Sequence, residues 1–250
     1  MLKILISGAL GHVGKKITEL TSSNDGYRVV CGVDRMSGNT DFPIFTSFDD
    51  VSIIPDVIID FSNPSLLENI LNFAKKHNIP CVLATTGYSK EQIDLIKEAS
   101  KDIAVFFTAN MSLGINLLSS LVKKAAAVLG DGFDIEIIEK HHNQKLDAPS
   151  GTALMLANAI NSETNEKYNY EYDRHSKREK RSKSEIGIHS VRGGTIVGEH
   201  EVIFAGNDEI ISLSHTAFSK EVFANGALRA ASFIKDKRNG LFDMNDMLSL

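Results

Sequence analysis

The sequence predicts an α/β protein in two parts, a parallel sheet covered by helices and an α+β unit that follows it. Three observations carry this reading. From Leu2 to Thr108 short apolar runs alternate with amphipathic helical stretches, the pattern of a sheet buried on both faces. The first strand-to-helix junction is glycine-rich, Gly8-Ala9-Leu10-Gly11-His12-Val13-Gly14. Beyond residue 111 the alternation stops, and a long helix leads into strands joined by glycine-containing turns.

The elements follow in order. Leu2 to Ser7 is an apolar strand, and Gly14 to Ser22 a helix with Val13, Ile17 and Leu20 along one face. Tyr27 to Val33 and Val57 to Phe61 are further strands, and Ser65 to Lys76 is a helix presenting Leu66, Ile70, Leu71 and Phe73. Pro80 to Ala84 is a strand, Lys90 to Ser100 a helix, and Ile103 to Thr108 the last strand of the first part. Asn116 to Leu129 is a long helix, Phe133 to Lys140 a strand, and Gly151 to Asn161 a helix. Ile186 to Arg192, Gly198 to Phe204 and Glu209 to His215 read as successive antiparallel strands. Phe223 to Lys235 is the final helix, with Gly240 in a turn before the tail. Thr164 to Ser184, rich in Arg, Lys, Ser and Asn, reads as a solvated, mobile loop.

Bulk properties exclude several classes. With 250 residues, 42% hydrophobic and 24% charged, the chain can bury an ordinary core. A net charge of −5 is the wrong sign for a general nucleic-acid binder. No run approaches the ~20 apolar residues of a membrane-spanning helix. Cys31 and Cys81 lie in apolar strand-like runs and read as buried thiols. Gly8 and Gly11 interrupt the first apolar run before it resembles a signal peptide, so a cytoplasmic location is expected.

The glycine-rich junction stands where a dinucleotide-binding turn must, after a strand and opening a helix. Small residues there let the backbone approach a pyrophosphate, and the helix N-terminus supplies unpaired N–H groups. The spacing G-x-x-G-x-x-G departs from the commoner G-x-G-x-x-G, with Ala9 in place of a glycine. Asp34 ends the second strand, about twenty residues past the last glycine, where a carboxylate accepts hydrogen bonds from the adenosine ribose. Arg35 beside it can pair with a 2′-phosphate, so both NADH and NADPH are expected to bind. The turns Ala84-Thr85-Thr86-Gly87 and Thr108-Ala109-Asn110-Met111 fall beyond later strands, at the edge where open parallel sheets bind ligands.

The segment His141-His142-Asn143-Gln144-Lys145-Leu146-Asp147-Ala148-Pro149-Ser150-Gly151-Thr152-Ala153 is the densest chemical signal. Two imidazoles and an ammonium precede a helix tip bearing Ser150, Gly151 and Thr152, a site suited to a carboxylate. Together they suit protonation of an anionic substrate. A metal site is disfavoured, because adjacent histidines seldom chelate one ion and Lys145 would repel it.

These residues resemble the 4-hydroxy-tetrahydrodipicolinate (dihydrodipicolinate) reductase family of the bacterial lysine and diaminopimelate pathway. The signature E-x-H-H-x-x-K-x-D-A-P-S-G-T-A runs from Glu139 to Ala153. Supporting matches are Gly8 to Gly14, Asp60-Phe61-Ser62, Thr85-Thr86-Gly87, Ala109-Asn110, Val191-Arg192, Gly198-Glu199-His200, Phe223 to Ala227 and Gly240 to Met244. The resemblance implies a Rossmann-type dinucleotide-binding domain at 1–111, completed by 220–250. It implies a substrate-binding and tetramerisation domain at 112–219, and hence a homotetramer. It implies NADH or NADPH as cofactor, with a small dicarboxylate as substrate. His141 then matches the proton donor/acceptor and Lys145 a second proton donor. His142, Ser150, Gly151 and Thr152 match substrate contacts. Lys220 stands where the family commonly has arginine, and a lysine lacks the planar fork that grips a carboxylate bidentately. His12 likewise replaces a usual arginine near the cofactor phosphates. The alternative, a catalytically silent NAD(P)-binding regulator on the same fold, leaves the intact His141 and Lys145 unexplained.

Overall fold

The computed structural model describes residues 1–249. The chain runs β1 (Leu2–Ser7), α1 (His12–Ser22), β2 (Tyr27–Val33), β3 (Ile44–Phe45), β4 (Val57–Asp60), α2 (Leu67–His77), β5 (Cys81–Leu83), α3 (Lys90–Ala99) and β6 (Ala104–Phe107). It continues through α4 (Leu113–Leu129), β7 (Asp134–His141), α5 (Gly151–Glu163), β8 (Asn169–Glu171), β9 (Glu185–Arg192), β10 (Gly198–Ala205) and β11 (Ile210–Ala217). It closes with α6 (Glu221–Ile234), β12 (Gly240–Phe242) and α7 (Met244–Leu248). Two compact units result, Met1–Leu113 with the segment from Lys220 onward, and Gly114–Ser219.

The first unit is a seven-stranded sheet of order β12-β6-β5-β4-β1-β2-β3, and every pairing in it is parallel. Strand alternation divides its core in two. Ile4, Ile6, Ile59 and Val82 face α1 and α6 through Ile17, Ala227 and Ile234. Leu5, Ile58, Cys81 and Leu83 face α2 and α3 through Ile70, Phe73 and Ile96. Small residues on α6 allow close approach, since a Cβ on Gly226 would meet the Met111 carbonyl oxygen at 1.8 Å. Two strands of this unit escape the sequence reading. β3 has two residues and β12 three, too short for any periodicity, and the tail after Gly240 joins the sheet edge beside β6 rather than forming a turn.

The second unit is a five-stranded mixed sheet of order β11-β10-β7-β9-β8. One face packs Ile135, Ile137, Ile186, Ile188, Val202 and Phe204 against Ile115, Leu118 and Val122 of α4 and Leu156 and Ile160 of α5. Of the three successive antiparallel strands expected, β10 and β11 do pair antiparallel, but the first is corrected here. β9 does not pair with β10: it runs parallel to β7, which lies between them. A parallel return needs a long crossover, and α5 with the 164–184 segment supplies it. That segment is largely exposed, as expected of a solvated loop, but it carries structure of its own. Asn169–Glu171 forms β8. Arg181 is anchored by Glu136 at 2.9 Å, Asp134 at 3.0 Å, and the carbonyls of Ile135 and Glu185 at 2.7 Å each. At ~1 kcal/mol or more apiece, these bonds exceed the ~1–2 kcal/mol needed to order the residue's backbone.

Candidate active site

Within the first unit, the carboxyl ends of β1, β2 and β4 build a cradle. Gly8 has φ +81°, and a Cβ there would lie 2.6 Å from the Phe61 carbonyl oxygen. Gly14 is equally constrained, since its Cβ would meet the Gly8 carbonyl oxygen at 2.3 Å. The turn therefore needs glycine at both places. It delivers Gly11 and His12, both exposed, to the head of α1. No side chain caps that helix and no acid occupies its first turn, so its amides and positive dipole end suit an anion. Asp34 follows β2, and its carboxylate accepts from the Leu10 amide at 2.9 Å and the Arg35 amide at 2.8 Å. These bonds pin a negative charge beside the turn, with Arg35 exposed next to it.

The other predicted cofactor positions separate by exposure. Thr86 and Ala109 are exposed, Val13, Leu10, Thr108 and Asn110 half-buried. Ala9, Ala84, Thr85 and Met111 are buried, Met111 at 2%, so its side chain is a core residue. Thr108 accepts from the Asn110 amide at 3.3 Å, which shapes that turn. Beneath the edge lies Asp60, fully buried, accepting from the Ser62 amide at 3.2 Å, the Ser62 hydroxyl at 2.5 Å and the Tyr88 hydroxyl at 3.2 Å. Burial pushes its carboxyl up. The glycine cradle, the uncapped helix and the fixed carboxylate together fit a dinucleotide.

Within the second unit, the core-facing row of each central strand turns polar at one end. On β7 the row Ile135, Ile137 continues as Glu139 and His141; on β9, Ile186, Ile188 continues as Ser190 and Arg192; on β10, Phe204, Val202 ends at His200. Register puts Glu139 opposite Ser190 and His200, and His141 opposite Arg192. Glu139 is fully buried and is the hub. Arg192 grips it bidentately at 2.7 and 2.8 Å, His141 Nδ1 lies 2.5 Å away, and the Ser150 amide donates at 3.1 Å. Burial raises the Glu139 carboxyl, but hydrogen bonds from Arg192, His141 and Ser190 outweigh it and bring it down to about 2. Burial, followed by the charges of Lys145 and Arg192, pulls the His141 imidazole down, while Glu139 pulls it up.

Ser150 caps α5, its hydroxyl accepting from the Ala153 amide at 3.1 Å and meeting His200 Nε2 at 2.9 Å. Burial and the neighbouring His141 push His200 down to about 4, so its ring is neutral near pH 7. The His200 ring stands edge-on to His141 at 5.1 Å between centroids. Lys145 pairs with Asp147 at 2.8 Å. His142 lies just past β7, half-buried; Gly151 is exposed and Thr152 half-buried at the head of α5. His141 and Ser150 thus contact Glu139, and the Lys145 charge acts on His141, whereas Lys220 is exposed in the other unit, preceding α6. Roles for Glu139, Arg192 and His200 did not emerge from the sequence. The Glu139-x-His141 spacing, which puts both on one strand face, was the available signal for the first. Among the described residues, no cluster of His, Cys, Asp and Glu could hold a metal ion, and no helix is long and apolar enough to cross a membrane.

Known proteins agree with this architecture. The family described as dihydrodipicolinate reductase, N-terminus, matches residues 2–111, and its C-terminal counterpart matches residues 114–248. A 4-hydroxy-tetrahydrodipicolinate reductase of Caldanaerobacter subterraneus subsp. tengcongensis is 52% identical over 248 residues, covering 99% of this chain and 98% of that protein. Its counterpart in Clostridium tetani is 50% identical over 250 residues, covering 100% and 98%. The fold also matches the dipicolinate-bound dihydrodipicolinate reductase from Paenisporosarcina sp. TG-14, with TM-score 0.78 and 24% identity over 98% of both chains. The chain therefore belongs to the dihydrodipicolinate reductase family of NAD(P)H-dependent oxidoreductases.

Proposed function

We propose that His141 and Lys145 supply protons to 4-hydroxy-tetrahydrodipicolinate, or the dihydrodipicolinate formed from it by loss of water, during its reduction to tetrahydrodipicolinate. The observation that carries this is the buried Glu139–His141 pair with the Lys145 ammonium on the following loop. NADH or NADPH, when bound, supplies the hydride. The residues expected to hold it are Gly8, Ala9, Leu10, Gly11, His12 and Val13 at the turn, Asp34 and Arg35 after β2, and the turns 84–86 and 108–111. The protein's own groups then meet the negative charge that develops on the substrate ring. A cation stabilises that charge, and a protonated imidazole or ammonium delivers a proton to the carbon that carries it. His142, Gly151 and Thr152 take a substrate carboxylate. Ser150, whose hydroxyl is already engaged in the cap, shapes the helix tip that receives it.

The test is nicotinamide absorbance at each cofactor, using the product of dihydrodipicolinate synthase as substrate. Oxidation of neither NADH nor NADPH would overturn the reading. Arg35→Ala is expected to raise KM for NADPH roughly fivefold while leaving NADH nearly unchanged, since one exposed ion pair contributes up to ~1 kcal/mol. Equal effects on both cofactors would remove Arg35 from the 2′-phosphate.

The proposal extends to a cytoplasmic homotetramer acting on a small molecule, without nucleic acid or membrane partners. Free, buried Cys31 and Cys81 fit a reducing compartment. The sheet face opposite α4 and α5 carries half-buried Ile138 and Ile203, and β11 leaves Ile210 exposed at 67%. Light scattering should give a mass near four times 27.4 kDa, and a monomer mass would refute the assembly.

A further inference from the structure

We propose that Glu139 is a positioning residue that holds His141 as the Nδ1–H tautomer, leaving Nε2 as the ring's proton-exchanging atom. This rests on the reading of His141 as a proton carrier. It adds which nitrogen acts and what selects it.

The bidentate grip of Arg192 keeps the fully buried Glu139 carboxylate ionised, so Glu139 has no proton to donate. His141 Nδ1 lies 2.5 Å from Glu139 Oε2, and a neutral imidazole can satisfy that contact only by donating from Nδ1. Nε2 is then the atom with a lone pair in the neutral ring and a transferable proton in the charged one. The strand opposite, β10, puts no side chain against that nitrogen. Gly198 sits across from it, and a Cβ there would lie 3.1 Å from His141 Nε2. Proton balance is simple: the imidazolium loses the Nε2 proton to the substrate carbon and returns to the neutral Nδ1–H form, with Glu139 ionised throughout.

Several charged or titratable groups face this ring. Glu139 comes from its own strand, Arg192 from β9 and His200 from β10, and Lys145 from the loop after β7. Asp147 faces Arg192 and Lys145 from the same loop. Among the groups acting on His141, Glu139 alone favours the imidazolium, so removing its charge must lower the pH at which His141 gives up its proton.

Two measurements test the proposal. In the unaltered protein, histidine-labelled with ¹⁵N and held at about pH 8 where the ring is neutral, the resonances lost in His141→Asn identify His141. The expected pattern is a protonated Nδ1 and an unprotonated Nε2; a protonated Nε2 overturns the proposal without touching the proposed reaction. In Glu139→Gln, kcat at neutral pH should fall ~10-fold or more, and the alkaline limb of the pH profile should move about one unit acidic. KM for the nicotinamide cofactor should hold. Adding Glu139→Gln to His141→Ala should cost nothing further. An unmoved pH profile, or an equal loss in the His141→Ala background, would show that Glu139 does not act through His141.

Discussion

Lys145→Ala should lower kcat by ~10²- to 10⁴-fold, the range for loss of a positioned proton donor, while the protein folds and binds NADH as before. The reason for the separation lies in where the ammonium sits. Its side chain is 21% exposed and its ion partner Asp147 is 58% exposed. Such a pair adds ~0–1 kcal/mol to stability, so thermal unfolding should barely change. On the proposed role, the same charge would face electron density that appears only as hydride arrives, and there its contribution would be several-fold larger. The pH profile provides a second readout. The Lys145 charge lowers His141, so in Lys145→Ala the imidazole should hold its proton to higher pH, opposite to the shift expected for Glu139→Gln. Stopped-flow or steady-state turnover across pH would resolve both effects. Turnover within about threefold of the unaltered protein would exclude Lys145 as a donor or electrostatic stabiliser.

The contrast between these two residues explains what the sequence disclosed. Lys145, His141 and the Ser150 cap lie within a dozen residues, and the glycine turn is contiguous, so local spacing exposed them. The parallel sheet was equally legible, because β1, β4 and β5 are apolar runs buried on both faces. The hub of the site was not. Glu139 and Arg192 are 53 residues apart and meet only because β9 lies parallel to β7. Reading β9 as the antiparallel neighbour of β10 hid that meeting. Alternation alone fixes which residues share a face, but not which strand lies alongside. The order of the mixed sheet is decided by where α4 and α5 cover its apolar rows, a long-range outcome that no window of residues reports.

Arg192→Leu should destabilise the second unit by ~3–5 kcal/mol, the cost of leaving a buried charge without its partner. Glu139 has no solvent access, and its remaining donors, the Ser150 amide, His141 and Ser190, cannot replace two guanidinium bonds. For a protein of this size the loss corresponds to a fall in Tm of roughly 6–20 °C. The pH dependence carries the sign of the cause. In the unaltered protein Glu139 titrates at about 2, below its ordinary value of 4.5. Its contribution is therefore complete above pH 4.5 and lost as pH falls toward 2. In Arg192→Leu the unpaired carboxyl is pushed up, and protonation relieves its burial, so the gap in stability between the two proteins should narrow on acidification. Replacing both residues, in Glu139→Leu with Arg192→Leu, removes the stranded charge and should recover much of the Tm lost in the single variant, because buried ion pairs contribute little net against apolar side chains of similar volume. It should not recover turnover, since His141 then has no carboxylate to orient it. Thermal unfolding of the two variants and the unaltered protein at two pH values would decide the matter: a single variant within about 2 °C of the unaltered protein would mean that Glu139 is not held as a buried ion by Arg192.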